Sequence, residues 1–295
     1  MLYFNCEEFI LHAINNTADH VDRIYILYSP VPWEYDKEAR KNIQNTSNLD
    51  ILKKCAHFDK LKIIEGVYST EEDQRNEGLE IARADGMDFL VIQDPDEFYF
   101  PKDFSDNLKA MANHPEAWYF RNPWYLFWKK KDYVIQFREA HGQNHTLINY
   151  NPVFALNCNS PVKFIRNRLV NTTDTIYLDR PCYHLSYYLS DNRLFEKINT
   201  WGHADQFRNK KKWYKYKWQA WDTKTKNLNP FNPLGWEKAV KFENEIPLEI
   251  SLINGPKHEK YNMSTLERAD EWVYDFKGFI YYYLCKLKTR LIRLI

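Results

Sequence analysis

Three carboxylates, Asp94, Asp96 and Glu97, fall within four residues, directly after the apolar run Phe89-Leu90-Val91-Ile92. Like charges this close repel one another unless a cation sits among them. Oxygen ligation suits a hard ion such as Mg2+ or Mn2+, which takes one or two carboxylates and completes its shell with water and phosphate. Pro95 stiffens the turn that presents the two aspartates. The apolar run is long enough for a strand buried on both faces and too short for a helix. Open α/β sheets bind their ligands at the carboxyl ends of such strands. A solvated turn after a strand has the same local composition, so the surrounding elements carry the distinction.

Those elements alternate. Leu2, Tyr3 and Phe4 read as the end of a first strand, whose full length needs a few more residues upstream. Asn5, a favoured N-cap residue, then opens an amphipathic helix with Glu7 and Glu8 at its positive end and Phe9, Ile10, Ala13 and Ile14 on its apolar face. Residues 22–28 predict a second strand, closed by Ser29-Pro-Val-Pro32. Residues 34–58 read as polar helix and 61–67 as a third strand. The helix at 69–86 is capped by Ser69 or Thr70, with Glu71, Glu72 and Asp73 in its first turn and a buried stripe of Leu79, Ile81 and Ala82. It leads back to the carboxylate strand. This order predicts an α/β doubly wound sheet with right-handed crossovers.

Asp94-Pro95-Asp96 followed by Glu97-Phe98 resembles the Asp-x-Asp motif of GT-A-fold glycosyltransferases, especially family-2-like enzymes. The resemblance implies a GT-A-like (Rossmann-like) mixed sheet flanked by helices, and sugar transfer from a nucleotide-diphosphate sugar to a hydroxyl of a glycan or glycoconjugate, with inversion. Asp94 and Asp96 would organise ribose and a Mn2+ or Mg2+ ion, and Glu97 is the candidate base. Asn5 and Glu7 would lie along the nucleotide. Arg75, with its neighbour Asn76, would meet the donor diphosphate; pairing of Arg75 with Glu71 or Glu72 along its helix is the structural alternative. Where many relatives carry an aspartate after the second strand this chain has Pro30 and Pro32, and its nearest acids are Glu34 and Asp36.

Downstream, a helix after Pro101 carries Phe104, Leu108 and Met111, and residues 118–128 and 132–137 predict paired strands joined by the basic turn Lys129–Lys131. Trp124, Tyr125 and Trp128 are the candidates for stacking on an acceptor sugar, with packing as their alternative role. Short strands follow at 153–156 and 162–165, then a strand at 183–188 and a capped helix after Ser190. By the same resemblance His184 joins the metal site, Lys197 meets phosphate and His203 meets acceptor. The alternative for a strand histidine is a satisfied place in the core.

Residues 208–218 interleave basic and aromatic side chains, a pattern that suits an anionic glycan or a single-stranded nucleic acid. With 41 basic and 40 acidic residues the net charge of +1 provides no global field for nucleic acid, which is not expected as a partner. Residues 227–233 and 247–260 read as irregular. From Thr265 the pattern is helical, interrupted at Gly278, and Lys286, Lys288, Arg290 and Arg293 alternate with apolar residues. Such a helix either covers the catalytic domain or lies on an anionic membrane.

The expected organisation is a catalytic domain over 1–205, with a nucleotide-sugar half at 1–100 and an acceptor half at 101–205, then the aromatic and basic segment and helical tail of 206–295. No run of eighteen apolar residues occurs, the amino terminus does not read as a signal peptide, and the five cysteines show no C-x-x-C pair. A cytoplasmic protein with peripheral membrane contact at most is expected. Two alternatives to the transferase remain. One is a non-catalytic glycan-binding protein on the same fold. The other is a metal-dependent nucleotidyltransferase or phosphohydrolase, which is disfavoured by only 8 glycines and no Gly-rich phosphate loop.

Overall fold

A computed structural model describes residues 1–138, 145–149, 152–207, 209–259 and 261–292. From the amino end, β1 (Leu2–Tyr3) leads to α1 (Glu7–Thr17), β2 (Ile24–Tyr28), α2 (Lys37–Asn42), β3 (Leu61–Glu65), α3 (Glu71–Ala84), β4 (Phe89–Val91), β5 (Glu97–Phe98) and α4 (Pro101–Ala112). Then come β6 (Tyr119–Arg121), β7 (Trp124–Trp128), β8 (Lys130–Arg138), β9 (His145–Thr146), β10 (Val153–Asn157), β11 (Phe164–Arg166), β12 (Leu169–Val170), β13 (Thr175–Tyr177) and β14 (Cys182–Tyr187). The remainder is α5 (Asp191–Thr200), α6 (Lys210–Trp213) running on as a π-helix to Gln219, β15 (Trp236–Lys241), α7 (Leu248–Leu252) and α8 (Thr265–Ile292).

The chain is a mixed α/β protein. β1, β2 and β3 pair in parallel. The expected continuation of that sheet into the carboxylate strand is not found. β4 pairs with β10 instead, in a sheet ordered β13-β6-β10-β4. β1 is only two residues long, and its register is taken up by Leu27 and Tyr28 of β2. A two-residue strand has too few backbone groups to ladder two neighbours. A cavity of about 250 Å³ lies between β2 and β4, with Met1 on its wall. The largest sheet runs β15-β8-β7-β14-β5, and β15 was not foreseen from its sequence.

Local chemistry accounts for most elements. Thr70 caps α3 by accepting from the Asp73 amide, and Ser190 caps α5 from Arg193. The polar stretch 34–58 is not one helix. Asp36 starts α2, which stops at Ile43, and a 3-10 turn over Leu49–Lys54 starts from Asn48. Between them Asn45 donates its amide to Tyr3 and Ser29 carbonyls, so a side chain takes the place of a helical ladder. The β7–β8 turn is tighter than expected, with Lys129 alone between the strands at φ +58°. Helix α8 continues through Gly278, since one buried glycine costs only ~1 kcal/mol relative to alanine.

The main apolar cluster joins Phe9 and Phe98 to Trp128, Tyr187, Trp213, Trp218 and Tyr274. The aromatic residues of 209–218 are thus largely spent in packing: Trp213, Tyr216 and Trp218 are buried. Among the described residues no helix is long and apolar enough to cross a membrane. Lys286, Lys288, Arg290 and Arg293, on which the amphipathic reading of the tail drew, lie outside what is described of side chains.

Candidate active site

The turn after β4 delivers the three acids into β5, and β5 pairs antiparallel with β14 so that Glu97 stands opposite His184. Parallel pairing of β14 with β7 sets Trp124 beside Cys182 and the Trp124 ring 4.5 Å from that of His184. Helices α3 and α5 supply Arg75 and Lys197, and the short turn between β11 and β12 supplies Arg168. These side chains line one cavity of about 660 Å³.

Each acid has its own partners. Asp94 accepts from Arg75 at 2.9 Å and lies 2.9 Å from the same nitrogen of Arg168 that reaches Glu97 at 2.6 Å. Asp96 accepts from Lys197 at 2.8 Å and is 3.3 Å from His184 Nε2. Arg75 is anchored in turn by Glu71 at 2.8 Å, the intrahelical pairing that its sequence spacing allows.

Burial alone pushes the Asp94 and Asp96 carboxyls up, but their side-chain partners outweigh it. Arg168 and Arg75 hold Asp94, and Lys197 and His184 hold Asp96, well below the usual carboxylate range. Glu97 goes the other way. Burial pushes its carboxyl above the ordinary range against the pull of Arg168, and Asp94 and Asp96 add to the push. Burial also lowers the His184 imidazole, with Asp96 opposing.

Asp96, Glu97 and His184 offer ligand atoms that all lie within 4.8 Å of one another. Glu97 Oε2 and His184 Nδ1 are buried with no hydrogen-bond partner among the described residues, as is one terminal nitrogen of Arg168. Unpaired buried acceptors of this kind are costly unless something else meets them. Two carboxylates and an imidazole therefore fit a divalent cation.

Of the other residues named from sequence, Asn5 and His203 also line the cavity. Asn5 does not cap α1, whose N-cap is Cys6; it sits at φ +48° and its side-chain oxygen accepts from the Thr46 amide at 2.7 Å. Glu7, Asn76, Tyr125 and Trp128 are not among the lining residues. Glu7 accepts from the Asn48 amide, and the Asn76 amide bonds both backbone groups of Phe164 at 2.9 Å. Tyr125 packs against Phe242 and Tyr183, and Trp128 is fully buried against Trp213 and Trp218. Among the nearest acids after β2, Glu34 pairs with Arg40, while Asp36 caps α2 and pairs with Lys210.

Sequence reasoning missed Arg168, together with Trp33, Arg121, Arg166, Arg193, Trp201 and Phe231 on the same wall. The Arg-Asn-Arg run at 166–168 was the available signal, but nothing local separates it from an ordinary basic turn. No protein-family model matches this chain, and no curated protein matches it.

Proposed function

We propose that this chain is a metal-dependent glycosyltransferase of GT-A type that moves a sugar from a nucleotide-diphosphate donor to a hydroxyl of a glycan or glycoconjugate, with inversion. The observation that carries the reading is the Asp96, Glu97 and His184 cluster, opening into a cavity whose walls carry both arginine and lysine side chains and aromatic rings. A diphosphate needs the first kind of wall, and a sugar the second.

Asp96 and His184 would hold Mn2+ or Mg2+, with water and donor phosphate completing the shell. When bound, the cation would supply charge neutralisation for a departing diphosphate. Lys197 and the free N–H of Arg168 add fixed positive charge to the same wall, where they need no reorganisation during transfer. Asp94, locked by two guanidiniums, keeps the floor of the site in place. Of the three groups that fit the cation, Glu97 would be the one left off the ion, and it takes the acceptor proton. Its Oε2 has no partner and its acidity is weakened toward neutrality, as a general base requires.

A glycan-binding protein without catalysis is the second reading. It is favoured by the fact that Arg75, Arg168 and Lys197 already pair all three acids without a cation. A thermal-shift screen of UDP-, GDP- and other nucleotide-sugars with and without Mn2+ separates the two, because ligands of the native state raise its melting point. The transferase reading expects a Mn2+-dependent shift with at least one donor, and cation-independent shifts with free glycans alone sink it.

A further inference from the structure

Helix α8 is fastened to the rest of the protein by charge. Its acidic residues, Glu267, Asp270, Glu271 and Asp275, each meet a lysine of the 212–217 segment. Lys215 reaches Glu267 at 2.5 Å, Lys212 reaches Asp270 at 2.6 Å, and the buried Lys217 reaches Glu271 at 2.7 Å and Asp275 at 2.9 Å. Tyr274 and Gly278 are buried on the same side.

At about 100° per residue, the opposite side of the helix carries Trp272, Phe276, Ile280, Tyr283 and Leu287, all exposed. Trp272 is 66% and Leu287 55% exposed, and the Trp272 and Phe276 rings stack on each other at 5.5 Å. With every acid of α8 turned inward, the outward side is left with apolar groups and the exposed cations Arg268 and Lys277. In sequence, the chain beyond Asp275 has five basic residues and no acidic one.

We propose that α8 docks on an anionic lipid surface, lying in the headgroup layer with the Trp272, Phe276, Ile280, Tyr283 and Leu287 stripe inserted. Tryptophan and tyrosine favour that layer because each has an apolar body and a polar tip. An anionic bilayer offers an apolar layer and opposite charge in a single surface, whereas a second copy of the chain would bring the same basic stretch against itself. The inward lysine clamp is the positioning device. It forces the helix to present this stripe rather than bury it on its own core.

The test is co-sedimentation of the full chain with vesicles of phosphatidylcholine alone or with about 30 mol% phosphatidylserine, in low salt and in about 0.5 M NaCl. Binding at least about tenfold stronger to the anionic vesicles, weakened about tenfold by salt, is expected. The variant Trp272→Ser/Phe276→Ser/Ile280→Ser, whose fold is checked by circular dichroism and melting temperature, is expected to lose that binding by about tenfold or more. Two results overturn the proposal. One is that anionic vesicles fail to bind the unmodified chain, or bind it and the variant equally. The other is that light scattering finds a dimer which the triple variant makes monomeric while vesicles leave the unmodified chain in solution.

Discussion

Arg168 and Glu97 are 71 residues apart in sequence and meet at 2.6 Å, with the same guanidinium nitrogen 2.9 Å from Asp94. Removing one partner of a buried pair leaves an uncompensated charge. Arg168→Met is therefore expected to cost ~3–5 kcal/mol in denaturant unfolding. Because Arg168 is the main pull opposing burial on the Glu97 carboxyl, which turns neutral more readily once that pull is gone, the double variant Arg168→Met/Glu97→Gln should lose ~1–3 kcal/mol less than the two single changes summed. Strict additivity would show that the contact contributes nothing.

Asp96→Asn keeps the side-chain shape and removes the charge that His184 and Lys197 face. If the cation sits there, this variant loses the Mn2+-dependent thermal shift, and transfer falls about 100-fold or more, close to 2.7 kcal/mol of barrier. Asn76→Ala, whose side chain only ties the Phe164 backbone, is expected to keep the Mn2+ response while melting lower. A Mn2+ response that survives Asp96→Asn puts the ion elsewhere.

The tryptophans at 124 and 128 lie on one short strand yet separate into two roles. Trp128→Ala opens a hole among Trp213, Trp218 and Tyr187 and is expected to cost ~3–5 kcal/mol of stability. Trp124 lines the cavity, under the Arg168 guanidinium at 4.8 Å. Trp124→Ala should cost less stability than Trp128→Ala and weaken acceptor binding about tenfold, close to 1.4 kcal/mol. The two are compared by melting temperature and by titration with acceptor glycans, and equal effects in both assays would defeat the distinction.

Asp191 ties three elements together. It starts α5, accepts from Trp218 Nε1 at 2.8 Å and lies 3.0 Å from His258 Nδ1. Burial pushes its carboxyl up, but His258, the Glu259 amide and Trp218 hold it below the usual carboxylate range. A depressed folded-state pKa stabilises the protein above the unfolded value, near 3.9, and that contribution is lost as pH falls through the folded value. Asp191→Asn should thus cost ~1–3 kcal/mol at pH 7. The gap from the unmodified protein should hold down to about pH 5 and narrow below about pH 4. Urea unfolding at pH 7, 5 and 3.5 follows it, and a gap that widens toward acid contradicts the assignment.

Much of the local structure was legible because local chemistry decides it. Thr70 and Ser190 announce helix starts, the apolar run ending at Ile92 announces a strand, though not its burial, since Phe89, Leu90 and Val91 are only half-buried beside the cavity between β2 and β4, and Asp94-Pro95-Asp96-Glu97 announces a concentration of negative charge whatever surrounds it. What the residues themselves could not disclose is which partners answer that charge, His184 being expected there only by the resemblance. Arg168 arrives through the β11–β12 turn, and His184 through a register that sets it opposite Glu97; both depend on pairings between segments remote in sequence. The same holds for the aromatic residues. Trp124 and Trp128 are chemically identical, four positions apart and both buried, and only the packing of the 213–218 segment over Trp128 closes it off completely while Trp124 keeps an edge on the cavity wall. Sequence sets each side chain's chemistry, while burial and the distance to opposite charge, which are properties of the folded chain, set what that chemistry does.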